Sequence, residues 1–218
     1  MSDPFWSLIA GAWVGLLFAA SFASSTVWLC QLTYSGYVRL ALAVLLALTG
    51  GTAWAVGLLS AGWLVAWWYA HPLALILGGL ATIWLFISAL AVRRAPPLTG
   101  LVVEVDPEQR RGLVWQALKR PLSFWGTYVF GLGALNLAER HPEPWEFIGW
   151  LPAFLGGLLL GQAAWFCFFI LLAWLGRSIE PEICLRSLNK LRFLSFVILL
   201  GLAVLNLVNF VTYLLGGL

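Results

Sequence analysis

Residues 40–68 read LALAVLLALTGGTAWAVGLLSAGWLVAWW and contain no charged side chain. A helix of about 20 apolar residues is enough to cross the hydrocarbon core of a membrane. Strands of a membrane β-barrel alternate apolar and polar residues, and the opening LALAVLLA does not alternate. Because lipid-exposed backbone must satisfy its own hydrogen bonds, the run predicts a spanning α-helix and an all-α fold.

The whole chain shares the character of that run. Of its 218 residues, 62% are hydrophobic and only 10% are charged, and the mean hydropathy is +0.94. Soluble domains are about 45–50% apolar and about 25% charged. The composition therefore excludes a soluble globular domain, a disordered chain and a nucleic-acid binder with a basic face. Three cysteines without CxxC spacing argue against disulfides and zinc.

Six apolar segments predict a polytopic membrane protein. We place the spans near residues 5–32, 40–68, 72–92, 122–138, 147–175 and 191–215. The first segment lacks a basic leader and is too long for a signal peptide, so we expect it to remain as a span. A cytoplasmic loop, residues 93–121, separates two three-helix halves, 1–92 and 122–218. Three spans per half give the halves opposite orientations, which predicts a 3+3 inverted repeat.

The basic residues predict the orientation. All twelve Lys and Arg residues except Arg140 lie in or beside residues 33–39, 93–121 and 176–190. Positive loops stay in the cytoplasm, so we predict a multi-pass protein of the cell (inner) membrane with both termini outside. The net charge of +3 is then explained by basic residues in the cytoplasmic loops. The lipid bilayer is the expected partner, and nucleic acid is not.

Two sequence features predict packing. Gly11 with Gly15, and Gly157 with Gly161, have the GxxxG spacing that lets helices approach closely. We interpret both pairs as contacts inside the bundle rather than as a dimer interface.

The loop 93–121 is interpreted as a solvated connector, with a surface helix near residues 108–119 as the alternative.

Polar residues inside the spans are the candidates for a substrate path. Residues 19–26 read AASFASST, and their hydroxyls either bend the helix by bonding to carbonyls or line a polar path; both interpretations stay open. Thr52 follows the pair Gly50-Gly51, which marks a weak point or kink. The candidate path residues are Ser24, Ser25, Thr26, Thr52, Asn136 and Gln162.

Recognisable catalytic motifs are missing from the sequence. His71 and His141 lie at outer span ends beside prolines, and no HExxH, phosphate loop or Ser–His–Asp set can be assigned. We predict no enzymatic activity, no metal site and no cofactor. His71 follows Trp67-Trp68-Tyr69 and is a weak candidate for an axial ligand to a pigment or haem; a capping histidine at the interface is the preferred interpretation.

The layout resembles the LysE/RhtB-type amino-acid exporter family over nearly the whole chain. The six spans, the long loop after the third span and the turn with Gly36 and Arg39 carry this resemblance. The family has Pro-Gly-Pro where this chain has residues 22–24, a Gly-acidic pair at residues 50–52, and Asn-Pro where Asn136 precedes Leu137. The resemblance implies a six-span fold and export of amino acids or similar small solutes.

Two functions follow as expectations. The first is that of an exporter whose polar cavity lies between the two halves. The alternative is a non-transporting accessory or structural subunit of a larger membrane complex, packed on other chains, lipid, pigment or quinone. Missing prolines and an aromatic content of 15% favour the subunit, whereas the family layout favours the exporter. A homo-oligomer is compatible with both.

Overall fold

The computed structural model describes residues 4–21, 23–61, 72–123, 144–178 and 180–216. These residues form seven α-helices: α1 (Pro4–Ser21), α2 (Ala23–Tyr34), α3 (Val38–Ala61), α4 (Pro72–Arg94), α5 (Pro107–Ser123), α6 (Pro144–Leu175) and α7 (Pro181–Gly216). A short 3₁₀ turn, Gly176–Ser178, follows α6. The described residues contain no β-strand, so the predicted all-α class is confirmed for them.

Four stretches of helix are long and apolar enough to cross a membrane. They are Pro4–Ser21, Val38–Ala55, Pro152–Ser178 and Pro181–Thr212. The apolar helices fit a membrane protein generally. Helices α6 and α7 contain 32 and 36 residues, which at 1.5 Å per residue is about 48 and about 54 Å. Both helices are longer than the hydrocarbon core of a membrane, which is about 30 Å thick.

Several predicted boundaries differ from the observed ones. The predicted span 5–32 corresponds to two helices, α1 and α2, which lie on either side of Phe22. Helix α7 begins ten residues before the predicted position 191, because proline is favourable at a helix start and the charged first turns are helical without being apolar. The predicted span 122–138 lies outside the described residues from position 124 onward.

The turn between α2 and α3 depends on one glycine. Gly36 has a φ of 97°, which an L side chain rarely adopts. Its N–H donates to the Thr33 carbonyl oxygen at 3.1 Å, and the Tyr37 N–H donates to the Leu32 carbonyl oxygen at 2.9 Å. This is the Schellman arrangement that ends a helix. Arg177 Nε also donates to the Thr33 carbonyl oxygen, at 2.9 Å, which brings the turn after α6 to the same place.

Helices α1 and α6 run parallel and touch backbone to backbone. A Cβ added at Gly11 or Gly15 would come closer than 3.0 Å to the carbonyl oxygens of Phe154 or Leu158. The relation is reciprocal, since Gly157 and Gly161 on α6 face the carbonyl oxygens of Leu8 and Ala12 in the same way. We call this contact the glycine seam. It confirms that the GxxxG pairs make contacts inside the bundle.

Helices α4 and α7 pack antiparallel through their side chains. Leu85 and Ala89 of α4 form a buried cluster with Leu199 and Ala203 of α7. Asn206 is hydrogen-bonded to Thr82, with 3.0 Å between amide nitrogen and hydroxyl oxygen. We call this contact the side-chain seam.

Helix α5 packs along α3 in the same direction. The Arg110 guanidinium lies 5.5 Å from the centroid of the Tyr37 ring, just before α3 begins. Further along, a Cβ added at Gly51 would come closer than 3.0 Å to the Leu118 carbonyl oxygen. Ala117 is completely buried in the cluster that α2, α3 and α6 share. The preferred interpretation of residues 93–121 as a solvated connector is therefore wrong for α5, and the helical alternative is correct.

The segment before α5 is also held in place. Leu101 and Val105 are buried. Gln31 Nε2 donates to the Gly100 carbonyl oxygen at 2.9 Å, and the Leu98 N–H donates to Asn189 Oδ1 at 3.2 Å. These contacts tie residues 95–106 to α2 and α7. The three basic loops predicted to share one side of the membrane thus meet at one end of the bundle, which we call the loop end.

Candidate functional site

Thr52 and Gln162 meet in the interior of the bundle. Both side chains are buried, with 0% and 1% of their surface exposed. Gln162 Nε2 donates to Thr52 Oγ1 at 3.0 Å, and Thr52 Oγ1 donates to the Leu48 carbonyl oxygen at 2.9 Å. Gln162 Oε1 has no hydrogen-bond partner among the described residues. A buried acceptor without a partner costs about 1–3 kcal/mol.

The surroundings of this polar pair are tight. Gly15 of α1 lies against the backbone of Gln162, since a Cβ added at Gly15 would come within 3.0 Å of the Gln162 nitrogen. Helices α1, α3 and α6 therefore converge at the pair. Neither side chain carries a formal charge, so the pair can supply hydrogen bonds to a ligand but cannot balance an ionic charge.

The candidate hydroxyls of α2 have separate surroundings. Thr26 is fully buried, and its hydroxyl oxygen accepts a hydrogen bond from Trp165 Nε1 at 3.1 Å. Ser25 is buried as well, whereas Ser24 is exposed. The structure therefore brings together only Thr52 and Gln162 of the predicted path, and places Ser24 in a different site. Asn136 and His71 lie outside the described residues.

Ser24 belongs to a cleft between α2 and α5 with a volume of about 670 Å³. Arg120 Nη2 donates to Ser24 Oγ at 3.2 Å, and the Arg120 guanidinium lies 6.0 Å from the centroid of the Trp28 ring. Partial burial lowers the pKa of Arg120 from its ordinary value, but a guanidinium stays charged at neutral pH. Lys119 Nζ lies 4.8 Å from the centroid of the Trp115 ring.

In the sequence, Lys119 and Arg120 are among the loop charges that predict the topology. The sequence does not predict the cleft, because the packing of α5 against α2 and α3 depends on contacts distant in sequence. A local signal was present, since two adjacent cations close to Trp115 are typical of a basic segment at a membrane surface. Among the described residues, no group of three His, Cys, Asp or Glu side chains could hold a metal ion.

Comparison with protein-family models, curated proteins and solved structures finds no match to this chain. The chemistry of the polar pair and of the cleft therefore carries the functional argument.

Proposed function

We propose that this protein is an exporter of amino acids or similar small solutes, built as an inverted repeat of two three-span halves with the loop end in the cytoplasm. The first to third spans are α1, α3 and α4. The fourth continues from α5, and the fifth and sixth are α6 and α7. The helix pairing and the polar pair support this proposal.

The pairing of the helices supports the repeat. Exchanging the halves converts the first and fifth spans into the fourth and second, that is, the α1–α6 contact into a contact of α3 with the fourth span. The described part of that contact is the one between α3 and α5, the helix that leads into the fourth span. Both pairs run parallel. Both also include a glycine, such as Gly161 or Gly51, whose added Cβ would come closer than 3.0 Å to a carbonyl oxygen of the partner helix. The antiparallel contact of α4 with α7, the third and sixth spans, maps onto itself.

The position of the polar pair supports a solute site. Thr52 and Gln162 belong to the second and fifth spans, which the same exchange converts into each other, so their contact lies where the two halves meet. Transporters with inverted repeats bind substrate at this interface near the middle of the membrane. Polar groups at membrane depth are costly and commonly functional.

The single observation that carries the proposal is the buried Gln162 carbonyl oxygen that lacks a partner among the described residues. An N–H donor of the solute, such as the ammonium group of an amino acid, would satisfy this oxygen and remove its desolvation cost. The neutral amide and hydroxyl suit a solute without net charge, such as a zwitterion.

Efflux of radiolabelled amino acids from proteoliposomes tests the proposal. We expect protein-dependent efflux of at least one amino acid, and a decrease of about tenfold in Thr52→Val, which leaves the Gln162 amide without its partner. Thr49→Val is the matched control, because the Thr49 hydroxyl bonds to the Leu45 carbonyl oxygen one turn away. Efflux no faster than from empty liposomes, or equal losses in the two variants, would contradict the proposal.

A second candidate is the accessory subunit of a larger membrane complex. It is favoured by the extended apolar face of α7, whose exposed side chains include Phe193, Leu194, Val197, Leu200, Val204 and Val208. Lipid covers such a face equally well. Native mass spectrometry of the chain, purified in mild detergent from its own membrane, distinguishes the two candidates. A stoichiometric second chain supports the subunit, and a chain that purifies alone supports the exporter.

A further inference from the structure

The cleft between α2 and α5 has the composition of an anion site. Its described lining consists of Ser24, Trp28, Leu113, Gln116, Lys119 and Arg120. Two of these side chains are cations, one is a hydroxyl and one is an amide, and none is acidic. The cations, hydroxyl and amide can all donate hydrogen bonds to an anion, while the remaining two side chains give the cleft an apolar wall.

The cationic side chains have defined positions. Arg120 is half-buried and is held by its hydrogen bond to Ser24 and by the Trp28 ring. Its planar fork of donors suits the bidentate recognition of phosphate. Lys119, the next residue, adds a second positive charge at the same cleft. Arg120 is partly desolvated, and such a cation attracts an anion more strongly than a cation in bulk water does.

The cleft lies near the level at which α1 and α4 end, where Arg93 supplies another basic side chain. The Ser195 hydroxyl donates to the Ala20 carbonyl oxygen, and Arg93 lies over the ring of Phe196, the residue after Ser195, at 5.6 Å from its centroid. Ser24 follows Ala20 by only four residues. A basic level at the ends of apolar helices is where lipid headgroups meet a membrane protein.

We propose that the cleft formed by Ser24, Trp28, Gln116, Lys119 and Arg120 binds a phosphate group, carried either by an anionic lipid headgroup or by free phosphate. The cations and the hydroxyl contact the phosphate oxygens. Trp28 and Leu113 contact the glycerol and upper acyl part of a lipid. This site is separate from the polar pair at Thr52 and Gln162, so the proposal of phosphate binding does not depend on whether the protein exports solutes.

Native mass spectrometry of the full-length protein in detergent tests the lipid source, with short-chain phosphatidylglycerol and phosphatidylcholine as probes. We expect the wild-type protein to bind phosphatidylglycerol more tightly. In the double variant Lys119→Gln/Arg120→Gln we expect about 30-fold weaker binding, from about 1 kcal/mol for each cation. Thermal stabilisation by inorganic phosphate, measured on the same proteins, tests the free-phosphate source and should fall in the same variant.

Two further variants make the test decisive. Arg111→Gln removes an exposed cation from the same helix outside the cleft, and it should bind phosphatidylglycerol and inorganic phosphate as the wild type does. Arg120→Lys keeps the charge but loses the guanidinium fork, so its binding should be about fivefold weaker. This variant replaces the double variant if the latter does not fold. If the double variant binds phosphatidylglycerol and inorganic phosphate as tightly as the wild type does, the proposal is overturned. The same holds for Arg120→Lys when that variant replaces the double variant. A loss of binding to phosphatidylglycerol alone, or to inorganic phosphate alone, supports the proposal and identifies the source of the phosphate group.

Discussion

Backbone meets backbone along the glycine seam of α1 and α6, whereas side chains separate α4 from α7 along the side-chain seam. In the first, four glycines allow carbonyl oxygens to lie where a Cβ would otherwise be. In the second, Leu and Ala side chains fill the space, and the hydrogen bond between the Asn206 amide and the Thr82 hydroxyl crosses it. A seam without side chains has no rotamers with which to absorb added volume, so the two seams should tolerate substitution very differently.

The largest expected effect is at the glycine seam. Gly161→Val places a branched side chain against the Ala12 carbonyl oxygen and forces the helices apart, so we expect a loss of about 3 kcal/mol or more in the free energy of unfolding. Gly201→Val is the matched control on α7, because an added Cβ there meets no described residue within 4 Å. It should change stability by no more than about 0.5 kcal/mol. Reversible unfolding in mixed micelles measures both, and equal losses would show that the seam is not close-packed.

A smaller effect is expected where α5 meets α3. Gly51→Ala should destabilise the protein by about 1–3 kcal/mol, because its methyl group would displace the Leu118 backbone. Gly50→Ala, one residue away, should be tolerated, since its Cβ would make only an ordinary contact 3.9 Å from Leu118 Cδ1. The same unfolding measurement compares them. If Gly50→Ala is the more damaging variant, α5 does not pack on α3 as described.

The smallest effect is expected at the side-chain seam. Thr82→Val removes the hydroxyl that is hydrogen-bonded to Asn206, and interhelical hydrogen bonds of this kind contribute about 0.6 kcal/mol on average in membrane proteins. Thr212→Val is the control, because the partner of the Thr212 hydroxyl among the described residues is the Val208 carbonyl oxygen of its own helix. A difference in unfolding free energy of more than about 2 kcal/mol between the two variants would mean that this hydrogen bond dominates the seam.

The same contrast explains what the sequence could predict. Long uncharged runs such as residues 40–68 predict helices directly, and GxxxG spacing predicts the glycine seam because both signals are local. For Thr52 and Gln162 the sequence predicts only that both are polar residues inside spans. Their contact is not predicted, because nothing local specifies a contact between residues 110 positions apart.

The errors also have physical causes. Residues 93–121 are rich in charge and proline, so they resemble a solvated loop. Their burial depends on a few apolar side chains, Leu101, Val105 and Ala117, that face helices distant in sequence. Ser24 was assigned to the substrate path because it shares a run with Thr26. Two residues along a helix rotate the side-chain direction by about 200°, and Ser24 therefore lies in the basic cleft with Arg120.

The proposed solute site is the polar pair between the two halves, and replacing the Gln162 amide tests it most directly. Gln162→Leu removes the carbonyl oxygen that would accept from the solute. Asn206→Leu removes an amide of the same chemistry from the side-chain seam. Initial rates of amino-acid efflux from proteoliposomes, at matched amounts of folded protein, compare the two. We expect a decrease of about tenfold or more in Gln162→Leu and a near-normal rate in Asn206→Leu; normal efflux in Gln162→Leu would contradict a solute site at the polar pair.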